Sequence, residues 1–216
     1  MKTGKELFDH WATNYDQLLA TGSAPVSFEG YEDVLTEAVK QTQVTPDMSV
    51  LDLGTGTGNL AARFVTLGCD VWGMDFSENM LVKAQEKLPS VHLVLADLRA
   101  EAWPPSLDRR FDRIVSAYVW HDFDLPYKTK LLERLTGQFL TGKGRIVVAD
   151  IAYLDETART QAAAYWGRLW NQEEHYWAGD ETIAACQAIG LSCSYQQVSS
   201  CAGVFVMQKL NDPAYP

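Results

Sequence analysis

No stretch of the 216-residue sequence approaches the roughly 18 consecutive apolar residues of a membrane-spanning helix. A membrane protein built on such helices is therefore excluded, and no membrane partner is expected. Cysteine is scarce, and Cys69, Cys186, Cys193 and Cys201 form no Cys-x-x-Cys pair. That spacing suggests neither a zinc site nor a disulfide framework; buried thiols in a reducing compartment are the plain expectation. Histidine is equally sparse, with four scattered residues, so no metal site is expected. The start, Met1-Lys2-Thr3-Gly4-Lys5-Glu6, lacks an apolar signal core, and a cytoplasmic location is the expectation. Basic residues are outnumbered too, 18 against 28 acids, for a formal charge of −10. A protein that grips DNA or RNA through its phosphates needs a basic face, so nucleic acid is not an expected partner.

The acidic excess is unevenly placed. Residues 1–47 hold 8 acids and 3 bases (−5), and 151–190 hold 6 and 2 (−4). The middle, 48–150, holds 13 and 12 (−1), and 191–216 one of each (0). The length suits one domain, which buries roughly 70% of its unfolded surface on folding.

From residue 48 onward, strand-like runs alternate with helical ones, the signature of a parallel sheet covered by helices. Ser49–Leu53, Cys69–Asp75, Val91–Ala96, Arg110–Ala117 and Arg145–Ile151 read as five strands. Helices are expected over Leu60–Leu67, after the N-cap Ser77, and over Tyr127–Leu140. An aromatic-rich helical stretch should run to about Trp177, followed by a short helix, Asp180–Ala188. Ser192–Ser199 and Gly203–Leu210 are separated by so few residues that they must pair antiparallel as a hairpin. Two helices precede the sheet; in the first, Leu7, Trp11, Tyr15 and Leu18 share one face.

The sharpest motif is Asp52-Leu53-Gly54-Thr55-Gly56-Thr57-Gly58-Asn59. Glycines at 54, 56 and 58 allow a tight strand-to-helix turn and close approach of a ligand to the backbone. Asp75 ends the second strand, where a carboxylate can accept both hydroxyls of a ribose. A nucleoside ligand at the carboxyl edge of the sheet follows. The dinucleotide fingerprint G-x-G-x-x-G would need glycine at position 59, which is Asn59.

Asp52-x-Gly54-x-Gly56-x-Gly58 resembles the first motif of class I S-adenosylmethionine-dependent methyltransferases. Asp75 matches their ribose acid, and Asp97 matches the acid after the third strand that faces the adenine. Phe111–Tyr118 and Gly144–Asp150 are similar to their fourth- and fifth-strand motifs, and the closing hairpin to their ending. Phe8-Asp9-x-Trp11-Ala12-x-x-Tyr15-Asp16 is similar to the opening of many small bacterial members, and Ser116-x-Tyr118-x-x-His121 and Glu174-His175-Tyr176 resemble the YrrT-like group, itself poorly defined in substrate.

The resemblance implies an α/β, Rossmann-like, seven-stranded mixed sheet. A helical cap (1–47), a cofactor-binding core (48–151), a lid between strands five and six (152–190) and a closing hairpin (191–210) would form a single domain. It implies S-adenosylmethionine as cofactor, held by Asp52, Gly54, Thr55, Gly56, Gly58, Asp75, Phe76, Asp97, Leu98, Ser116, Tyr15 and Trp11. It places Tyr118, His121, His175 and Tyr176 at the acceptor, with His121 or Tyr15 as base if one is used. The expected reaction is in-line methyl transfer to a small molecule by a monomer or homodimer. The charge distribution favours a neutral or cationic acceptor over a strongly anionic one. A nicotinamide-dependent dehydrogenase and a non-catalytic S-adenosylmethionine-binding module are the alternatives.

Overall fold

The computed structural model describes residues 28–210. The expected first helix, with Trp11 and Tyr15, lies outside that range. Within it, the chain runs through Tyr31–Thr42 (α1), Ser49–Leu53 (β1), Asn59–Thr66 (α2), Asp70–Asp75 (β2), Glu78–Lys87 (α3) and His92–Leu95 (β3). Phe111–Ala117 (β4), Leu125–Arg134 (α4), Leu140–Tyr153 (β5) and Glu156–Trp166 (α5) follow. Trp177–Ala178 (β6), Gly179–Ala188 (α6), Leu191–Gln197 (β7) and Ala202–Lys209 (β8) complete it.

The strands form one mixed sheet in the order β3-β2-β1-β4-β5-β8-β7, with the two-residue β6 paired to β5. β1 to β5 are parallel, whereas β8 runs antiparallel to both β5 and β7. This is the Rossmann-like seven-strand arrangement expected from the sequence, with β6 as a short addition. The order reverses between β1 and β4, and open α/β sheets bind ligands in the crevice beyond such a reversal.

Alternation along the strands divides the core in two. Leu51 and Leu53 of β1, Ile146 and Val148 of β5, and Phe205 and Met207 of β8 face α4 and α6. Val50, Val147, Ala149 and Val204 point the other way, towards α1 and α2. A side-chain period of two on strands buried on both faces produces this division.

Local signals set the boundaries. Ser77 caps α3, its hydroxyl accepting from Met80 N–H at 3.2 Å, and Asp124 caps α4, accepting from Tyr127 N–H at 2.9 Å. With that cap and Pro126 in the first turn, α4 begins before Tyr127 and ends at Arg134, followed by a wider turn over Leu135–Phe139. β5 extends beyond Arg145–Ile151 at both ends because Leu140 already pairs with Phe111 and β6 pairs with Ala152 and Tyr153. The aromatic stretch is not one helix to Trp177. α5 stops at Trp166, where Gly167 takes a φ of 52° and ψ of −112°, which breaks the helical path.

Candidate functional site

Residues that follow β1 to β5 line a cavity of about 1220 Å³, closed on another side by segment 166–176 and by Phe28 and Tyr31. Sites for small ligands commonly span roughly 300–1,000 Å³, so this one has room for more than one molecule.

One end is built from backbone and carboxylates. Gly54, Gly56 and Gly58 all have positive φ, which lets the chain turn directly from β1 into α2. Their surroundings differ. A Cβ at Gly54 would lie 2.4 Å from Val119 Cγ2, whereas a Cβ at Gly56 would meet nothing within 4 Å. Both glycines line the cavity, but the Cβ direction is open at Gly56 and filled by Val119 at Gly54. Asp75 holds it in place: one carboxylate oxygen accepts from Gly56 N–H and the other from Ser77 N–H, each at 2.8 Å. Asp52 is buried and accepts from the Thr55 hydroxyl at 2.8 Å. Burial, opposed by that bond and reinforced by the nearby Asp75 charge, pushes its carboxyl up to about 7. Asp97, Phe76 and Leu98 complete this wall, and Asp97 also accepts from Arg99 N–H at 2.8 Å.

The other end is built from side chains distant in sequence. Tyr118, with a φ of 57°, carries the chain out of β4 and stacks with Phe28 and Tyr31 at centroid distances of 4.9 and 5.3 Å. A bulky residue held in the left-handed region stores strain of the kind that gathers at functional sites. His121 follows, its Nδ1 2.6 Å from Asp150 Oδ1 and its backbone N–H donating to Asp150 Oδ2 at 2.9 Å. Burial alone would lower the imidazole, but the Asp150 carboxylate outweighs it by charge and hydrogen bond and raises the group to about 9. Tyr176 and Trp170 pack edge to face at 4.5 Å, with Tyr153 beside Trp170. Asp122, Glu173 and Glu174 add carboxylates to this end, and burial raises the Asp122 carboxyl.

Three of the expected site residues are placed elsewhere. Gly58 does not line the cavity; it faces Leu88, whose Cδ1 would lie 2.7 Å from an added Cβ. Ser116 is buried, and its hydroxyl donates to Leu53 O at 2.7 Å, tying β4 to β1. The His175 side chain is exposed and outside the cavity wall. Its backbone does the local work, donating to His121 O and accepting from Lys128 Nζ, both at 2.6 Å.

Asp150, which bonds His121, and the cavity-lining Tyr153 and Trp170 are not among the residues the sequence pointed to. For Asp150 a signal existed: an acid ends the apolar run Ile146–Ala149, as Asp75 ends its own strand.

The profile of the family described as a methyltransferase domain matches residues 50–144. An uncharacterized methyltransferase of Geobacillus sp. (strain WCH70) is 36% identical over 160 residues, covering 72% of this chain and 71% of that protein. One from Alkaliphilus oremlandii is 33% identical over 153 residues, covering 70% and 68%. The chain belongs to the class I S-adenosylmethionine-dependent methyltransferases. Among solved structures, the DhpI–SAH complex superposes with a TM-score of 0.72 at 18% identity over 95% of each chain. Magnesium protoporphyrin IX methyltransferase (ChlM) from Synechocystis PCC 6803 with bound SAH gives 0.65 at 16% identity over 84% and 83%. Those two similarities concern the fold. As a member of this family the chain takes S-adenosylmethionine as cofactor, which decides against the nicotinamide alternative.

The residues present fit such a cofactor on two observations. Gly56 leaves open space in a loop held at positive φ, and the carboxylates of Asp52 and Asp75 line the same space. Among the described residues, no cluster of His, Cys, Asp and Glu could hold a metal ion, and no helix is long and apolar enough to cross a membrane.

Proposed function

We propose that the protein methylates a small molecule bound beside His121, with S-adenosylmethionine held at the glycine-loop end of the same cavity. When bound, the cofactor supplies an electrophilic methyl group on a sulfonium. Asp75 is the ribose acid, Asp97 faces the adenine, and Asp52 faces the methionine amino group. Gly54, Thr55, Gly56, Phe76 and Leu98 complete that half. Residues 152–190 act as a lid on a single domain. The observation that carries the reading is the size and division of the cavity: about 1220 Å³, with backbone and acids at one end and aromatics with His121 at the other.

In this reading the chain's main contribution is to align the acceptor and exclude water. Tyr118, Tyr176, Trp170 and Tyr153 supply an apolar wall, and the buried hydroxyls of Tyr153 and Tyr176 stay neutral, their acidity suppressed chiefly by burial. The acceptor is neutral or cationic: Asp122, Glu173 and Glu174 line its end of the cavity against Arg99 and the His121–Asp150 pair. Aromatic faces among carboxylates suit an ammonium group. Once the pH exceeds the raised value of about 9 and the ring is neutral, His121 can serve as proton acceptor for a substrate that arrives protonated. The test is a screen of small metabolites, amines included, by mass spectrometry for the gain of one methyl group. Methylation confined to peptides or nucleic acids would refute the reading.

A further inference from the structure

Four hydrogen bonds converge on Asp150, a wholly buried carboxylate near the end of β5. Oδ1 is 2.6 Å from His121 Nδ1 and accepts from Ile151 N–H at 2.8 Å. Oδ2 accepts from His121 N–H at 2.9 Å and from Trp177 Nε1–H at 3.1 Å. Backbone amides and an indole N–H can only donate. Three of the four partners are therefore donors by chemistry, and a carboxylate so surrounded is ionised. The proton in the fourth bond then belongs to His121 Nδ1.

We propose that Asp150 is the positioning residue of the acceptor-side histidine, fixing the Nδ1–H form of His121 and turning Nε2 towards the cavity. Asp150 touches neither cofactor nor acceptor and acts through His121. The inference rests on the reading that His121 stands at the acceptor. It adds what the residue is held ready to do. In the neutral ring, which exists above the raised titration point, an acceptor X–H gives its proton to Nε2, the X–H bond breaks, and the electron pair remains on X. The positive charge then on the imidazole is balanced by Asp150 across a bond that already exists.

The same cluster fixes the histidine from the lid side. His175 N–H donates to the His121 carbonyl at 2.6 Å, and Lys128 Nζ donates to the His175 carbonyl at 2.6 Å. Lys128 is buried and lies 4.0 Å from the Trp177 ring centroid, so the indole that bonds Asp150 also carries the lysine on its face. β5, the loop after β4, α4 and segment 174–177 thus meet at one histidine. The charged and titratable groups facing His121 are Asp150 from β5, Asp122 beside it, Glu174 and Tyr176 from the lid, and Lys128 from α4 behind Asp150.

Two-bond ¹H–¹⁵N spectra of the histidine rings, recorded across pH on the ligand-free protein, test this without turnover, with His121 assigned by its loss in His121→Asn. The wild type should keep Nδ1 protonated throughout, and Nε2 should titrate above the free-imidazole value of roughly 6.5. Asp150→Asn should lower that midpoint by about 1–3 pH units, and the pH profile of methyl transfer should follow. Trp177→Phe removes one donor from the carboxylate while keeping its charge. It should retain the tautomer and move the midpoint up, if at all. A wild-type spectrum with the neutral ring protonated at Nε2, or an Asp150→Asn midpoint equal to wild type, overturns the proposal. If Asp150→Asn does not fold, the wild-type tautomer and Trp177→Phe decide. The reading beneath it fails separately, through acceptor binding that ignores His121→Asn while the tautomer is as described.

Discussion

The two ends of the cavity are made in different ways. The end proposed for the cofactor is written in one short span: Gly54, Gly56 and Asp52 lie within five residues, and Asp75 reaches back to bond Gly56 N–H. Backbone conformation makes it, so residue type alone reports it. The end proposed for the acceptor draws on α1, the loop after β4, the end of β5 and segment 166–176. Side-chain packing makes that end, and packing is set by the fold. A family can hold the first constant while varying the second, which is why the cofactor is decided here and the acceptor is proposed.

The comparison can be broken at its seam, where Gly54 meets Val119. Gly54→Ala puts a Cβ 2.4 Å from Val119 Cγ2 at a φ of 70°, so strain and overlap add. About 2–4 kcal/mol of stability should be lost, read as a fall in Tm. Both ends should suffer together, since Val119 lies just before His121. A melting temperature equal to wild type would mean the seam is loose.

A pH series on cofactor affinity probes the first end alone. Burial raises the Asp52 carboxyl to about 7, so it is largely neutral below that pH and cannot pair with an amino group. Affinity should rise as pH increases through about 7 and level off above it, by up to tenfold per unit below the midpoint. A flat calorimetric profile from pH 5.5 to 8.5 would remove Asp52 from the binding role.

The second end has the opposite dependence in stability. His121 is raised to about 9, above its unfolded value of roughly 6.5. Its contribution is fully present below the unfolded value and lost as pH rises through about 9. Relative to His121→Asn, the wild type should therefore lose its stability advantage between roughly pH 6.5 and 9 in chemical denaturation. An advantage that grew over that interval would contradict the pairing with Asp150.

Gly56→Ala sharpens the contrast with Gly54. Its Cβ meets nothing, so only the strain of a φ of 54° remains, about 1 kcal/mol of stability. The new methyl enters the cavity, so cofactor affinity should fall more than stability does. The smallest effect belongs to His175→Ala. The exposed side chain is lost while the backbone bonds to His121 and Lys128 remain, and acceptor KM should stay within about twofold of wild type.

How much of this was legible in the sequence follows the same division. The strands, the strand-to-helix glycine turn and the Ser77 cap were readable because each is a local rule about φ or hydrogen-bond demand. Gly58 and Ser116 matched a family pattern, but they meet Leu88 and Leu53 rather than the cavity, contacts that only the assembled sheet creates. His175 departs from the expectation in another way: its neighbours Glu174 and Tyr176 line the cavity, whereas its own side chain is exposed. Asp150 lay in plain view at a strand end. Nothing local says that His121, 29 residues earlier, turns its Nδ1 onto it.

The most direct test of this division is the affinity for S-adenosylhomocysteine, measured by calorimetry on Asp75→Ala and His121→Ala side by side. Removing a buried carboxylate that bonds ligand hydroxyls costs about 2–3 kcal/mol, so Asp75→Ala should weaken binding roughly 30- to 150-fold. His121→Ala should stay within about threefold of wild type, a difference of roughly 0.6 kcal/mol. The reverse order, with His121→Ala the more damaging, would contradict the assignment of the two ends.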